Sequence, residues 1–237
     1  MGTPTIIKGE EYFNTVIYEG NGGGQRVGRF VPFTDQATIA NSCIFNDADS
    51  ARLERTPSSG GNQRVLTVSM WFKLGTLGVR GTLFSAAPSG DTGNFVHQVE
   101  ILSATQGMRI QGVASGSTVY QLDTNRTFED TSKFYHILVA YNTGDSTAND
   151  RIKLYIDGTQ VTSFSTQTNP AQDLDTLFNA TSNITAFGIL AGSNTNPFDG
   201  YMAEVNLVDG QALLPASFGI TDTSTGRWIP KTVEPFP

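Results

Sequence analysis

The stretch Val65-Leu66-Thr67-Val68-Ser69-Met70-Trp71-Phe72-Lys73 constrains this chain more than any other. Its even positions are apolar without exception, while its odd positions mix Val, Thr, Ser, Trp and Lys. Successive side chains of a strand point to opposite faces, so Leu66, Val68, Met70 and Phe72 form one core-facing row. Trp71 stands on the opposite row, which predicts that this second face is also partly covered, by a loop or a further layer.

Runs of the same character follow at Gly81–Ser85, Phe95–Leu102, Met108–Val113, Thr118–Leu122, Phe134–Tyr141, Ile152–Ile156, Val161–Phe164, Ala186–Leu190 and Tyr201–Val208. Turn chemistry separates them. Asp157-Gly158 is the strongest case, because both central residues of a type I′ hairpin turn need positive φ. Helical signals are few: one or two turns over Asp173–Asn179, and a single turn at Pro215–Phe218. Many short strands with frequent turns, in a chain holding 25 Gly, predict an all-β antiparallel sandwich.

The formal net charge of −7 disfavours binding to phosphate backbones, and no dense Lys/Arg cluster opposes it. No apolar run approaches the ~20 residues of a membrane-spanning helix. The opening residues lack the basic and apolar regions of a secretory signal. Cys43 is the single cysteine, which excludes an intrachain disulfide and reads as a small core hydrophobe.

The two ends differ from the middle. Residues 1–30 are expected to form an arm and an early strand, and 31–227 the sandwich. Residues 228–237 hold three prolines and are expected to be an extended arm unable to join a central strand. Both arms are expected to grip neighbouring subunits.

Three segments resemble a known family. The first runs Phe45-Asn46-Asp47-Ala48-Asp49 through Arg52-Leu53 with Arg55-Thr56-Pro57-Ser58-Ser59, then Thr67 to Lys73 around Trp71. The second is Tyr135-His136-Ile137-Leu138-Val139, followed by Leu154-Tyr155-Ile156-Asp157-Gly158. The third is Phe198-Asp199-Gly200-Tyr201-Met202-Ala203-Glu204-Val205. Together they resemble the laminin-G-like branch of the concanavalin A-like lectin/glucanase superfamily. Tyr135 stands where that branch usually has Trp before the His. The resemblance implies a concanavalin A-like jelly roll with Trp71, Tyr135, His136, Tyr155, Asp157, Gly158, Gly200, Tyr201 and Glu204 as motif and core residues.

The ending, Gly200 to Leu213, then Pro215 to Gly219, then Gly226-Arg227-Trp228-Ile229-Pro230-Lys231, is similar to the close of this domain in tailed-bacteriophage virion proteins. That similarity implies a virion structural component assembled in the host cytoplasm, and the lack of a catalytic constellation among the residues adds the expectation that it is non-enzymatic. A capsid decoration (cement or head-fibre) protein is the first expectation, since the chain is nearly all one globular domain. A tail-fibre or receptor-binding lectin for a host surface glycan is the alternative, and a glycan hydrolase the third. The implied partners are the major capsid protein or neighbouring copies in a homo-oligomer, and possible glycan; nucleic acid and membrane are not implied.

The residues offer little chemistry. The superfamily's glucanases carry Glu-x-Asp-x-x-Glu on one strand, which supplies two working carboxylates. No Glu here has Asp two residues later, and Glu204 reads as a structural hydrogen-bonding residue. The two histidines, His97 and His136, have no Ser/Asp constellation placed around them, and His136 reads as a packed core residue. The glycine-rich Gly20–Gln25 lacks the Lys-Ser/Thr of a phosphate cradle. No cofactor is expected, with calcium left open: such domains hold it through hard oxygen ligands, and Asp47, Asp49 and Asp199 are the candidates. Glycan stacking could use Tyr120, Tyr141, Tyr155 or Trp228, each of which also reads as core.

Overall fold

The computed structural model describes residues 39, 41–223 and 225–233. The arm expected over residues 1–30 lies outside the described residues. Strands are numbered along the chain. One antiparallel sheet has six strands in the order β1 (Cys43–Phe45), β13 (Gly200–Asp209), β3 (Val65–Leu74), β8 (Tyr135–Asn142), β9 (Ile152–Ile156) and β10 (Thr159–Gln160). The other has seven, in the order β11 (Phe164–Thr168), β7 (Ser117–Thr127), β6 (Gly107–Ala114), β5 (Val96–Ile101), β4 (Gly81–Pro88), β12 (Asn183–Phe187) and β2 (Leu53–Arg55).

Alternation builds the sandwich. Leu66, Val68, Met70 and Phe72 are all buried and meet Phe84, Val99, Ile101, Ile110 and Leu122 from the other sheet in one core. The opposite row of β3 is buried as well: Thr67, Ser69 and Trp71 are each 6% exposed or less. The cover is the chain's own end. Residues after β13 run back over this outer face, where Thr67 Oγ1 donates to the Gln211 carbonyl (2.7 Å) and accepts from the Leu213 N–H (2.8 Å). A turn of 3₁₀ helix at Pro215–Ser217 leads into β14 (Gly219–Thr221), which pairs with β15 (Trp228–Pro230). The start of the Pro-rich segment therefore lies on its own domain.

Three local expectations give way to tertiary contacts. Val161–Phe164 is not one strand. Residues 161–163 cross between the sheets, because β10 continues the Asp157-Gly158 hairpin while β11 pairs with β7 in the other sheet. Asp173–Asn179 forms no helix. Its backbone is drawn into long-range bonds, Asp173 N–H to Thr143 O and Thr176 N–H to Gln63 O (both 2.9 Å), while Phe178 enters the core. Cys43 is exposed, not buried. It sits in the edge strand β1, from which only Phe45 reaches the core.

No helix among the described residues is long and apolar enough to cross a membrane.

Candidate functional site

The described residues hold two polar side-chain groupings and one cleft. The first lies under the returning C-terminal segment. His136 is paired with Trp71 across β8 and β3, and their rings lie 5.0 Å apart. The Trp228 indole N–H donates to His136 Nδ1 (3.1 Å). That nitrogen must therefore be bare, so Nε2 carries the hydrogen and donates to Ser69 Oγ, 2.9 Å away. A histidine acting as general base on a serine must accept the hydroxyl proton instead. Burial pushes this imidazole down to about 4, against the opposing pull of the Asp157 carboxylate. Asp157 accepts the His136 backbone N–H (3.0 Å) and pairs with Arg126 (2.8 Å) and Lys133 (3.6 Å). Tyr155 is buried with Leu138 and Phe218 in the same outer layer. Asp157 and Gly158 have φ of 50° and 78°, and a Cβ at Gly158 would stand 2.5 Å from the Trp228 ring. This group is a structural clasp.

The second grouping is a polar ladder on the outer face of the seven-stranded sheet. Glu100, fully buried, receives Arg80 through two bonds (2.5 and 2.9 Å), and Arg109 forks onto Asp123 (both 2.8 Å). Beside them Gln98 donates to Gln111, Gln111 to Gln121 (both 3.0 Å) and Gln121 to Asp123 (2.9 Å). The side chains satisfy one another almost completely. In this ladder Gln98 Oε1, and beside it Thr82 Oγ1 opposite Glu100, are buried without a hydrogen-bond partner among the described residues.

The third is an open cleft of about 550 Å³ at one side of the sandwich. Directly opposed residues of an antiparallel pair share a face. Leu53 and Arg55 stand opposite Phe187 and Thr185, and Thr185 stands opposite the core residue Ala86. Leu53 and Arg55 thus belong to the inner face of their sheet. From the other sheet Leu207 and Asp209 stand opposite the core residues Val68 and Leu66. Among the described residues, β2 has no neighbour on its outer side, and β13 has none there beyond Met202. The interior is therefore open at this edge. Leu53, Pro57, Phe187, Val205 and Leu207 supply an apolar lining. At the rim Asp209 Oδ1 accepts from the Asn62 N–H (2.8 Å) and Asn179 Nδ2 (3.0 Å).

The remaining sequence candidates are scattered. Asp47 and Asp49 lie in a 3₁₀ turn after β1, where Asn46 Nδ2 donates to Asp49 (2.8 Å). Asp199 accepts from Thr76 Oγ1 (2.6 Å). Among the described residues no three His, Cys, Asp or Glu side chains converge to hold a metal. Glu204 is exposed at a bulge of β13, with φ of 47°. Tyr201 is on the surface with Lys73 Nζ 5.8 Å from its ring centre. Gly200 has φ of 145° and leaves no room for a Cβ beside the Lys73 carbonyl. Tyr135 stacks on Phe72 (5.6 Å) in the core. Tyr120, Tyr141 and Tyr155 are buried and cannot stack on a ligand from solvent. His97 is buried and accepts the Leu177 N–H (3.3 Å). Of the cleft residues, Leu53 and Arg55 entered the sequence analysis only within a family-like segment, and Phe187, Asn179 and Asp209 carried no site expectation, since all five come from separated segments with no shared spacing.

A family model described as the concanavalin A-like lectin/glucanases superfamily matches residues 46–217. The chain belongs to this superfamily. Among solved structures, the concanavalin A-like domain is similar to domains LG4-5 of the mouse laminin α1 chain, with TM-score 0.51 and 10% identity over 84% of this chain and 46% of that one. It is similar to tailspike protein 2 of the Escherichia coli O157:H7 bacteriophage CAB120, with TM-score 0.50 and 14% identity over 74% of this chain and 23% of that one. It is also similar to domain 4 of an extracellular arabinanase from Geobacillus stearothermophilus, solved with arabinotriose, with TM-score 0.49 and 19% identity over 76% of each chain. At these identities the likeness is one of fold. No curated protein sequence matches the chain. The domain is lectin-like in architecture.

Proposed function

We propose that the protein is a non-catalytic, lectin-like component of a bacteriophage virion whose inter-sheet cleft recognises a surface glycan. The cleft carries this reading. Its volume of about 550 Å³ falls in the range of about 300–1,000 Å³ usual for small-ligand sites. Its apolar lining suits the C–H faces of a sugar ring, and its amide, carboxylate and guanidinium rim suits hydroxyls. A binding role without hydrolysis is supported by the acids present. Glycoside hydrolysis needs two carboxyl groups flanking the bond, but here Glu54 is tied to Arg52 (2.8 Å) and Asp209 to Asn62 and Asn179. The virion setting is supported by the phage-like ending over residues 200–231. Other virion proteins and further copies of the chain are the partners of this reading.

The test is a bacterial-surface glycan array probed with the wild type and with Phe187→Ala. The wild type retains at least one glycan, and the variant loses it with its fold intact. Equal retention by both proteins would place binding elsewhere.

A second reading, a capsid decoration protein, is favoured by the edge of the six-stranded sheet. There Ile44 stands opposite Tyr201, 66% and 36% exposed, an apolar pair suited to contact with a neighbouring subunit. Copy number on a virion gel decides it. Decoration requires abundance comparable to the major capsid protein, and a few copies per particle contradict it.

A further inference from the structure

We propose that the cleft selects an acidic glycan, one bearing a carboxylate or sulfate, and that Arg55 is the residue that reads this group. The inference rests on the glycan reading above. Three charged side chains line the cleft, Glu54, Arg55 and Asp209. Two are engaged: Glu54 with Arg52 at 2.8 Å, and Asp209 with the Asn62 N–H and Asn179 Nδ2. Arg55 has no ion pair or side-chain hydrogen bond among the described residues.

Its position gives that fact weight. Arg55 shares the inner face with Thr185 and the core residue Ala86, so a cation stands at the mouth of the space between the sheets. A guanidinium offers five donors in a planar fork that matches a carboxylate or sulfate through two parallel bonds. The chain as a whole carries −7 and repels anions at long range, so capture depends on this local donor. Asp209 and Asn179, at the other strand's side of the cleft, remain for sugar hydroxyls.

An inward-pointing charge on an edge strand has another use, which is to discourage pairing with a second sheet edge. The experiment separates the two. Purified protein is titrated calorimetrically with trigalacturonate, with its neutral methyl ester and with a sulfated galactan trisaccharide, as wild type and as Arg55→Gln. Arg55 is exposed, so the variant keeps the fold. The expected result is that at least one acidic ligand binds about tenfold tighter than the ester, the size of one charge-assisted bond at an open site. Arg55→Gln abolishes that preference while binding of the ester persists. Carboxylate and sulfate are told apart by which acidic ligand shows the preference. Equal affinity for acid and ester, or a preference that survives Arg55→Gln, overturns the role of Arg55 and leaves glycan binding standing. If none of these ligands binds while the array still retains a neutral glycan, acid selection is overturned alone. If nothing binds in either assay, both fail. Self-association of Arg55→Gln with unchanged glycan affinity identifies the residue as an edge guard and overturns the proposal.

Discussion

The Trp228 indole donates to His136 Nδ1 across 3.1 Å, and this bond fixes which nitrogen of the imidazole carries its hydrogen. The same contact seats the C-terminal segment on the outer face of the six-stranded sheet. It turns what would otherwise be a serine–histidine pair into a clasp.

Acid should open that clasp. Burial lowers both His136 and His97 from 6.5 to about 4. Unfolded, each histidine binds its proton near pH 6.5; folded, it resists until about 4. The stability they contribute is complete above pH 6.5 and is lost as pH falls from there to about 4. Each accounts for about 3 kcal/mol over that window. Urea midpoints measured from pH 7 to 4 should fall, and His136→Gln should remove about half of the slope.

Trp228→Ala removes a half-buried indole from its seat on His136 and Gly158. The expected cost is about 2 kcal/mol, below that of a fully buried tryptophan. Trypsin should then cut at Arg227 and Lys231 sooner, with the rest of the sandwich protected.

Gly158→Ala meets two obstacles. The residue has φ of 78°, and the added carbon would strike the Trp228 ring. The left-handed backbone alone costs about 1–2 kcal/mol. A larger loss in chemical unfolding, reduced in the background of Trp228→Ala, would show both effects.

Glu100→Gln tests the polar ladder. It leaves Arg80 and Arg109 facing an amide in a fully buried position. Breaking such a pair costs about 2 kcal/mol here, less than for a wholly buried pair, because Arg80 is partly in solvent. Glycan affinity should not change, since the ladder lies on the opposite side of its sheet from the cleft.

Sequence periodicity revealed the sandwich because alternation is local. Leu66, Val68, Met70 and Phe72 announce their face without reference to any other strand, and Asp157-Gly158 announces its own hairpin. Trp71 foretold a covered outer face, although not that residues 211–231 supply the cover. What pattern could not reveal depends on distant partners. Asp173–Asn179 has the composition of a helical turn, but Thr143 and Gln63 claim its backbone. Cys43 looks like core until β1 is seen to be an edge. The cleft is the extreme case. Leu53, Phe187 and Leu207 lie far apart in the chain, and it is the pairing of β2 with β12 and the side of β13 that has no strand partner among the described residues that bring them together.

Amide chemical shifts test the central claim most directly, that recognition occurs between the open sheet edges. The labelled protein is titrated with an oligosaccharide retained on the array. The account predicts that the largest shifts fall at 53–55, 185–187 and 205–209. Shifts centred instead on Gln98, Gln111 and Gln121, with the cleft unmoved, would contradict it.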